Sequence, residues 1–161
     1  MADSTTRDTG TMTRQQLVKL LNEDLAREYQ AIIAYVIYSQ VLKGAEYMAI
    51  AKELEKHAGE ELKHALTISK HIDYLGGMPT NHPLAVVQSD DATKMLRADL
   101  ENENNTIRAY RDRVRQCEAL GEYAMAEHIR EILVDEQEHQ IDLATALGKD
   151  VAEVTDPGER A

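Results

Sequence analysis

Residues 20–75 and 95–150 carry one pattern twice, at an offset of 75 positions. The first copy reads Leu21, Asp24, Leu25, Glu28, Ile32, Tyr35, then Glu61 and His64; the second reads Leu96, Asp99, Leu100, Glu103, Ile107, Tyr110, then Glu136 and His139. In each copy a Glu is followed 33 residues later by Glu-x-x-His. The phase makes this a constraint on the fold. Leu21, Leu25, Glu28, Ile32 and Tyr35 form one stripe of an α-helix, and Glu28 occupies a place where Leu would be the default. The stripes Ile50, Leu54, His57, Glu61, His64, Ile68, then Leu96, Leu100, Glu103, Ile107, Tyr110, and Met125, Ile129, Ile132, Glu136, His139, Leu143 behave alike. Four glutamates and two histidines therefore face the core from four helices.

Burying an ionised carboxylate costs several kcal/mol even after relaxation. Four unpaired ones would exceed the roughly 5–15 kcal/mol that holds an ordinary domain together. No Lys or Arg is expected in those stripes near the glutamates, so two divalent metals are the natural counterions. A lone Glu-x-x-His is weak evidence, but His64 and His139 alone among the six histidines have a Glu three residues before them, and the 75-residue offset relates them. Tyr35 and Tyr110 read equally well as core aromatics or as residues serving the site. Asp24 and Asp99 stand one turn before Glu28 and Glu103. Antiparallel pairing would bring Asp24 level with His64 and Asp99 level with His139, where a carboxylate can orient a metal-bound imidazole. His57 reads better as a core histidine than as a ligand, and His71, His82 and His128 fall outside the primary set.

Thr13-Arg14-Gln15-Gln16 reads as a capping box. Helices are expected from there to about Lys43, from about Glu46 to Gly76-Gly77, from about Asp90 to Leu120, and from Glu122 to Leu147. The only long connection is residues 77–89, with Pro79 and Pro83. Helices of about 28 residues are about 42 Å long, and thirteen extended residues reach about 43–47 Å. That loop can return along the whole bundle, leaving helices two and three parallel and the other sequential pairs antiparallel. Residues 1–12 are expected to be a mobile tail, residues 13–148 the bundle, and residues 149–161 an acidic C-terminal tail.

With Glu28, Glu61-Leu62-Lys63-His64, Glu103 and Glu136-Gln137-Glu138-His139, the chain resembles the ferritin-like family, and most closely the bacterioferritins, over about residues 13–148. The resemblance implies an all-α, ferritin-like four-helix bundle with one long crossover between helices two and three. It implies two Fe ions per subunit, with Glu61 and Glu136 bridging, Glu28 and His64 terminating one metal, and Glu103 and His139 the other. It also implies a tyrosine beside the site at Tyr35, and a ferroxidase that oxidises Fe(II) with O2 or H2O2 for iron storage and detoxification. A Dps-like peroxide scavenger and a non-storage bundle holding Mn or Zn are the competing readings.

Two departures carry expectations of their own. Leu62 stands where bacterioferritins place the haem-ligating Met, so no haem is expected. Only thirteen residues follow Gly148, so the family's fifth helix has no counterpart, and a 12-subunit cage built from two-fold dimers ranks above a 24-subunit one. The dimer contact is expected on the apolar outer residues Ile33, Ile37, Tyr38 and Val41.

The formal charge of −11 argues against nucleic acid, since neither tail is basic enough to neutralise several phosphates. A single cysteine, Cys117, suits a reducing cytoplasm. No apolar run of membrane-spanning length and no signal-like segment is present.

Overall fold

The structure is a computed structural model that describes residues 11–156. Four long helices account for nearly all of it: α1 (Arg14–Val41), α2 (Met48–Tyr74), α3 (Ala92–Ala119) and α4 (Tyr123–Ala146). The expected N-terminal tail lies largely outside the described residues.

Helix α1 begins at the anticipated capping box. The Thr13 hydroxyl accepts from the Gln16 amide at 3.1 Å, and the Gln16 side chain accepts from the Thr13 amide at 2.8 Å. It ends two residues earlier than expected, because Leu42 is already extended. Ala45–Tyr47 form a short 3-10 turn rather than the first turn of α2, so α2 starts without a side-chain cap. Asp91 caps α3 by accepting from the Lys94 amide at 3.1 Å. Between α3 and α4 the chain reverses at Gly121, whose φ of 76° suits a residue without a Cβ, and the Glu122 amide closes back onto the Cys117 carbonyl at 2.9 Å.

The core reveals the helix directions. One apolar cluster joins Leu17, Leu21 and Leu25 of α1 to Ile68 and Ile72 of α2, Tyr110 and Cys117 of α3, and Met125, Ile129 and Ile132 of α4. A second joins Ala34, Tyr35 and Tyr38 to Ile50 and Leu54, Met95 and Leu96, and Leu143. Helices α2 and α3 thus run from the second cluster to the first, parallel to each other, while α1 and α4 run the opposite way. This is the single-crossover bundle. The glutamates and histidines of the repeated motif occupy the level between the two clusters.

The crossover is tied along α1 rather than free. The Asn22 side chain donates to the Met78 carbonyl and accepts from the Thr80 amide, the Leu84 amide donates to the Ala26 carbonyl, and the Gln30 side chain donates to the Ala85 carbonyl. Gly77 permits the close approach at its start, since a Cβ there would lie 2.4 Å from Val18 Cγ1. The Tyr38 hydroxyl donates to the Val87 carbonyl, which buries a ring expected on the outer surface. Ile37 is half-buried, and Ile33, Val36 and Val41 form the exposed apolar part of α1. Residues 149–156, without regular structure, fold back onto α3: Val154 is buried, and the side chains of Arg108 and Arg111 donate to the carbonyls of Thr155 and Val154. No helix among the described residues is long and apolar enough to cross a membrane.

Candidate metal centre

Glu28 on α1, Glu61 and His64 on α2, Glu103 on α3, and Glu136 and His139 on α4 are all buried. The two imidazoles present the same atom to the same pair of carboxylates. His64 Nδ1 lies 2.9 Å from Glu61 Oε2 and 3.3 Å from Glu136 Oε1; His139 Nδ1 lies 2.9 Å from Glu61 Oε1 and 3.3 Å from Glu136 Oε2. Each of these carboxylates turns one oxygen to each histidine. Glu28 Oε2 is 3.5 Å from His64 Nδ1, and Glu103 Oε1 is 3.8 Å from His139 Nδ1. Two four-residue groups result, Glu28–Glu61–His64–Glu136 and Glu61–Glu103–Glu136–His139, each with donor atoms within 4.8 Å of one another.

The protein's own hydrogen bonds leave this layer unsatisfied. Glu28 Oε2, Glu61 Oε1, Glu103 Oε2, both oxygens of Glu136 and His139 Nδ1 are buried without a hydrogen-bonding partner. Native proteins rarely orphan buried polar atoms, and six in one layer, all of them ligand atoms, are what a pair of divalent cations would satisfy. Burial, with the charges of Glu61 and Glu136 nearby, raises Glu28 and Glu103 well above the usual carboxylate range. For Glu61 burial pushes the same way, but the facing imidazoles of His139 and His64 outweigh it and hold that carboxyl below its ordinary range. Burial also works against charging His139, yet the carboxylates of Glu136, Glu61 and Glu103 push it up to about 12. His64 is raised as well, by Glu136, Glu28 and Glu61 against burial.

Each tyrosine reaches across the repeat. The Tyr35 hydroxyl donates to Glu103 Oε1 and the Tyr110 hydroxyl donates to Glu28 Oε1. Both phenols are raised well above their ordinary value by burial and by those same carboxylates, with Asp99 and Glu61 adding at Tyr35 and Asp24 and Glu136 at Tyr110. A small cavity of about 10 Å3, lined among others by Arg27, Gln30, Asn102 and Thr106, reaches Glu28, Glu61, Glu103 and Glu136 from the side of α1 and α3. It is about the size of one water or one ion.

The aspartates expected behind the histidines stand elsewhere. Asp24 accepts from Arg113 Nε at 2.6 Å and Arg113 Nη2 at 3.0 Å, and it also pairs with Arg27. This corrects the expectation that the stripes hold no basic residue: Arg113 is buried on α3, and its charge is consumed by Asp24. Asp99 is buried near Tyr38, with Oδ2 lacking a partner. The residues behind the imidazoles are Asp135, 2.9 Å from His64 Nε2, and Glu60, 2.9 Å from His139 Nε2. Helix pitch explains the difference. Asp24 and Asp99 sit a full turn from the glutamates and reach the next layer, whereas Glu60 and Asp135 directly precede Glu61 and Glu136 and border the helix face opposite. The signal lay in the chain, since Glu60 and Asp135 are themselves 75 positions apart.

The sequence pattern of the ferritin-like domain matches residues 18–151. The chain belongs to the ferritin-like family. Among curated ferritin-like proteins it is similar to a bacterioferritin of Brucella melitensis, 28% identical over 144 residues covering 84% of this chain and 88% of that one. Among solved structures it is similar to a ferritin-like, diiron-carboxylate protein of Bacillus anthracis, at a TM-score of 0.80 and 33% identity over 84% of this chain and 99% of that one. It is also similar to a dodecameric thioferritin, a bacterioferritin-related protein of Bacteroides fragilis, at a TM-score of 0.77 and 26% identity over 86% of this chain and 88% of that one. The ferritin-like bundle anticipated from the repeated motif is therefore the fold that the chain adopts.

Proposed function

We propose that this ferritin-like protein is a ferroxidase, taking two Fe2+ as substrate and oxidising them with O2 or H2O2 for iron storage and detoxification. The observation that carries the reading is the pair of four-residue groups sharing Glu61 and Glu136, with their buried oxygens left unpaired. In this reading Glu61 and Glu136 bridge the two irons, Glu28 with His64 terminates one, and Glu103 with His139 terminates the other. Carboxylate and imidazole suit iron, manganese and zinc alike; the diiron-carboxylate relative of Bacillus anthracis favours iron. Asp135 and Glu60 hold the outer ring N–H groups and so keep each Nδ1 turned inward. Tyr110 and Tyr35 anchor the carboxylates of Glu28 and Glu103, and so hold one terminal ligand of each iron in place.

Stopped-flow absorbance after adding two Fe2+ per subunit, first with O2 and then with H2O2, tests the reading. Rapid ferric formation saturating at two irons supports it, and the faster oxidant decides between storage with O2 and peroxide removal. No oxidation above the rate of free Fe2+ overturns it, and a non-storage bundle holding a pair of manganese or zinc ions then becomes the reading.

The assembly proposed is a dodecamer of two-fold dimers in the cytoplasm, without haem. Its support is the dodecameric relative, the exposed apolar residues Ile33, Val36 and Val41 of α1 with Leu62 and Leu66 of α2, and the absence of sulfur at Leu62. Light scattering is expected to give about 217 kDa, twelve copies of the 18.1 kDa chain. A 24-subunit mass, or a Soret band from protein expressed with ample haem, would refute these respective parts.

A further inference from the structure

His57 is 1% exposed, as buried as Glu28, Glu61 and Glu136, yet it belongs to no pair of the repeated motif. Its ring stacks on that of His139 at 4.0 Å between centroids and 20° between planes. On the outer side, His57 Nε2 lies 3.0 Å from Asp142 Oδ2 and 3.9 Å from Glu53 Oε2. Its other nitrogen, Nδ1, is buried with no hydrogen-bonding partner. Two groups of potential ligands share this residue: Glu53–His57–Asp142, and His57–Glu60–His139, each with donor atoms within 4.8 Å. Glu60 in turn holds the outer nitrogen of His139.

We propose that Glu53, His57 and Asp142 form an accessory site for one divalent cation on the α2/α4 side of the bundle, placed in series with the dinuclear centre. The donor set, one imidazole and two carboxylates, is the one that first-row divalent ions accept. A cation at about 2.1 Å from each donor sets neighbouring octahedral donors about 3.0 Å apart and opposed ones about 4.2 Å apart. The separations of 3.0 and 3.9 Å around His57 Nε2 lie within that span. Room for water ligands is present, because a cavity of about 180 Å3 lined by Glu46, Glu53, Asp142 and Thr145 opens beside the group.

The internal repeat supplies a control. Shifted by 75 positions, Glu53, His57 and Asp142 correspond to His128, Ile132 and Thr67. Those three residues line a cavity of about 290 Å3 on the other half, together with Lys63 and Lys70. Ile132 offers no donor atom, so the imidazole at the centre of the group has no counterpart there, and the carboxylates of Glu131 and Asp135 share that cavity with the two ammonium groups. The dinuclear ligands repeat in both halves, whereas the Glu53–His57–Asp142 set exists in one, so the accessory site is a feature of that half and not a by-product of the repeat.

The identity of the cation as Fe2+ rests on the ferroxidase reading; the site itself does not. Anaerobic titration of the full chain with Co2+, followed by its visible absorbance, tests it. The wild-type protein is expected to take up one equivalent per subunit more than Glu53→Gln/Asp142→Asn, whose substitutions lie at half-exposed side chains and leave the His57 packing in place. Anomalous scattering at the cobalt edge from soaked crystals is expected to show a peak between His57 Nε2 and Asp142 Oδ2. Glu61→Ala/Glu136→Ala is expected to lose the dinuclear equivalents and keep that peak. If Fe2+ oxidation fails while the extra equivalent and the peak persist, the ferroxidase reading falls and this site stands. Equal stoichiometry in the wild type and Glu53→Gln/Asp142→Asn, or no peak at His57, overturns the site.

Discussion

Asp24 and Asp99 occupy equivalent positions in the two halves of the molecule, are both buried, and live in opposite electrostatic worlds. Asp24 is gripped by two nitrogens of Arg113 and by Arg27. The residue that corresponds to Arg113 in the other half is Tyr38, which donates to Val87 of the crossover and leaves Asp99 without a cation. Burial, with the charge of Glu61 behind it, holds Asp99 well above the usual carboxylate range. One half therefore buries an ion pair, and the other a carboxyl whose burial favours the protonated form. A repeated letter guarantees a repeated position, and the charge state is decided by what the opposite helix brings.

The metal ligands are where the halves should behave most alike. Glu61→Ala and Glu136→Ala are each expected to slow Fe2+ oxidation by more than about 100-fold, beyond the 10–100-fold typical of losing an outer partner, as measured by stopped-flow. A large loss in one variant with near-normal rates in the other would break the equivalence of the two carboxylates.

The aspartates should separate the halves most sharply. Asp24→Asn strands the buried Arg113 guanidinium and is expected to cost about 3–5 kcal/mol, a fall of roughly 6–20 °C in Tm for a chain of this size. Asp99→Asn replaces a carboxyl that burial holds toward its neutral form by a neutral group of the same shape. The sign of its pH dependence follows from the raised pKa. Between the unfolded and the raised native value the native state binds more proton than the unfolded chain, so this residue costs stability as pH rises above about 4, the value in an unfolded chain. The Tm of Asp99→Asn is therefore expected to gain on the wild type between pH 5 and pH 7, in thermal melts of the metal-free protein. Equal losses in the two Asn variants would show that Asp99 is ionised and paired after all.

Outside the imidazoles the halves should match again, more gently. Asp135→Asn and Glu60→Gln are each expected to weaken binding of the adjacent metal by about 10–100-fold, read by calorimetric titration with Zn2+. A tenfold difference between the two would show that the stack of His57 on His139 already orients that ring. The smallest effect concerns Cys117, fully buried among apolar side chains and Arg113, with no equivalent thiol in the other half. Burial pushes its thiol up to about 12, so thiol-specific reagents at pH 8 are expected to label it only after unfolding. Rapid labelling of the native protein would show that the α3 end of the bundle opens.

Periodicity and the 75-residue offset were enough to place the four helices, their parallel and antiparallel order and the level of Glu28, Glu61, His64, Glu103, Glu136 and His139. Those are consequences of helical pitch and chain reach, which act within one segment or between neighbours in sequence. Helix ends shifted by a few residues because local hydrogen bonding set them, as at the 3-10 turn of Ala45–Tyr47. What the stripes alone did not assign were the partners: Arg113 on Asp24, Asp135 on His64 and Glu60 on His139 (a pair marked only by its 75-residue offset), Val87 on Tyr38, and Asp142 on His57. All five contacts link residues 49 to 89 positions apart. Which polar atom meets which across such a separation depends on the rotation and crossing of whole helices, and a stripe of residue types leaves both undetermined.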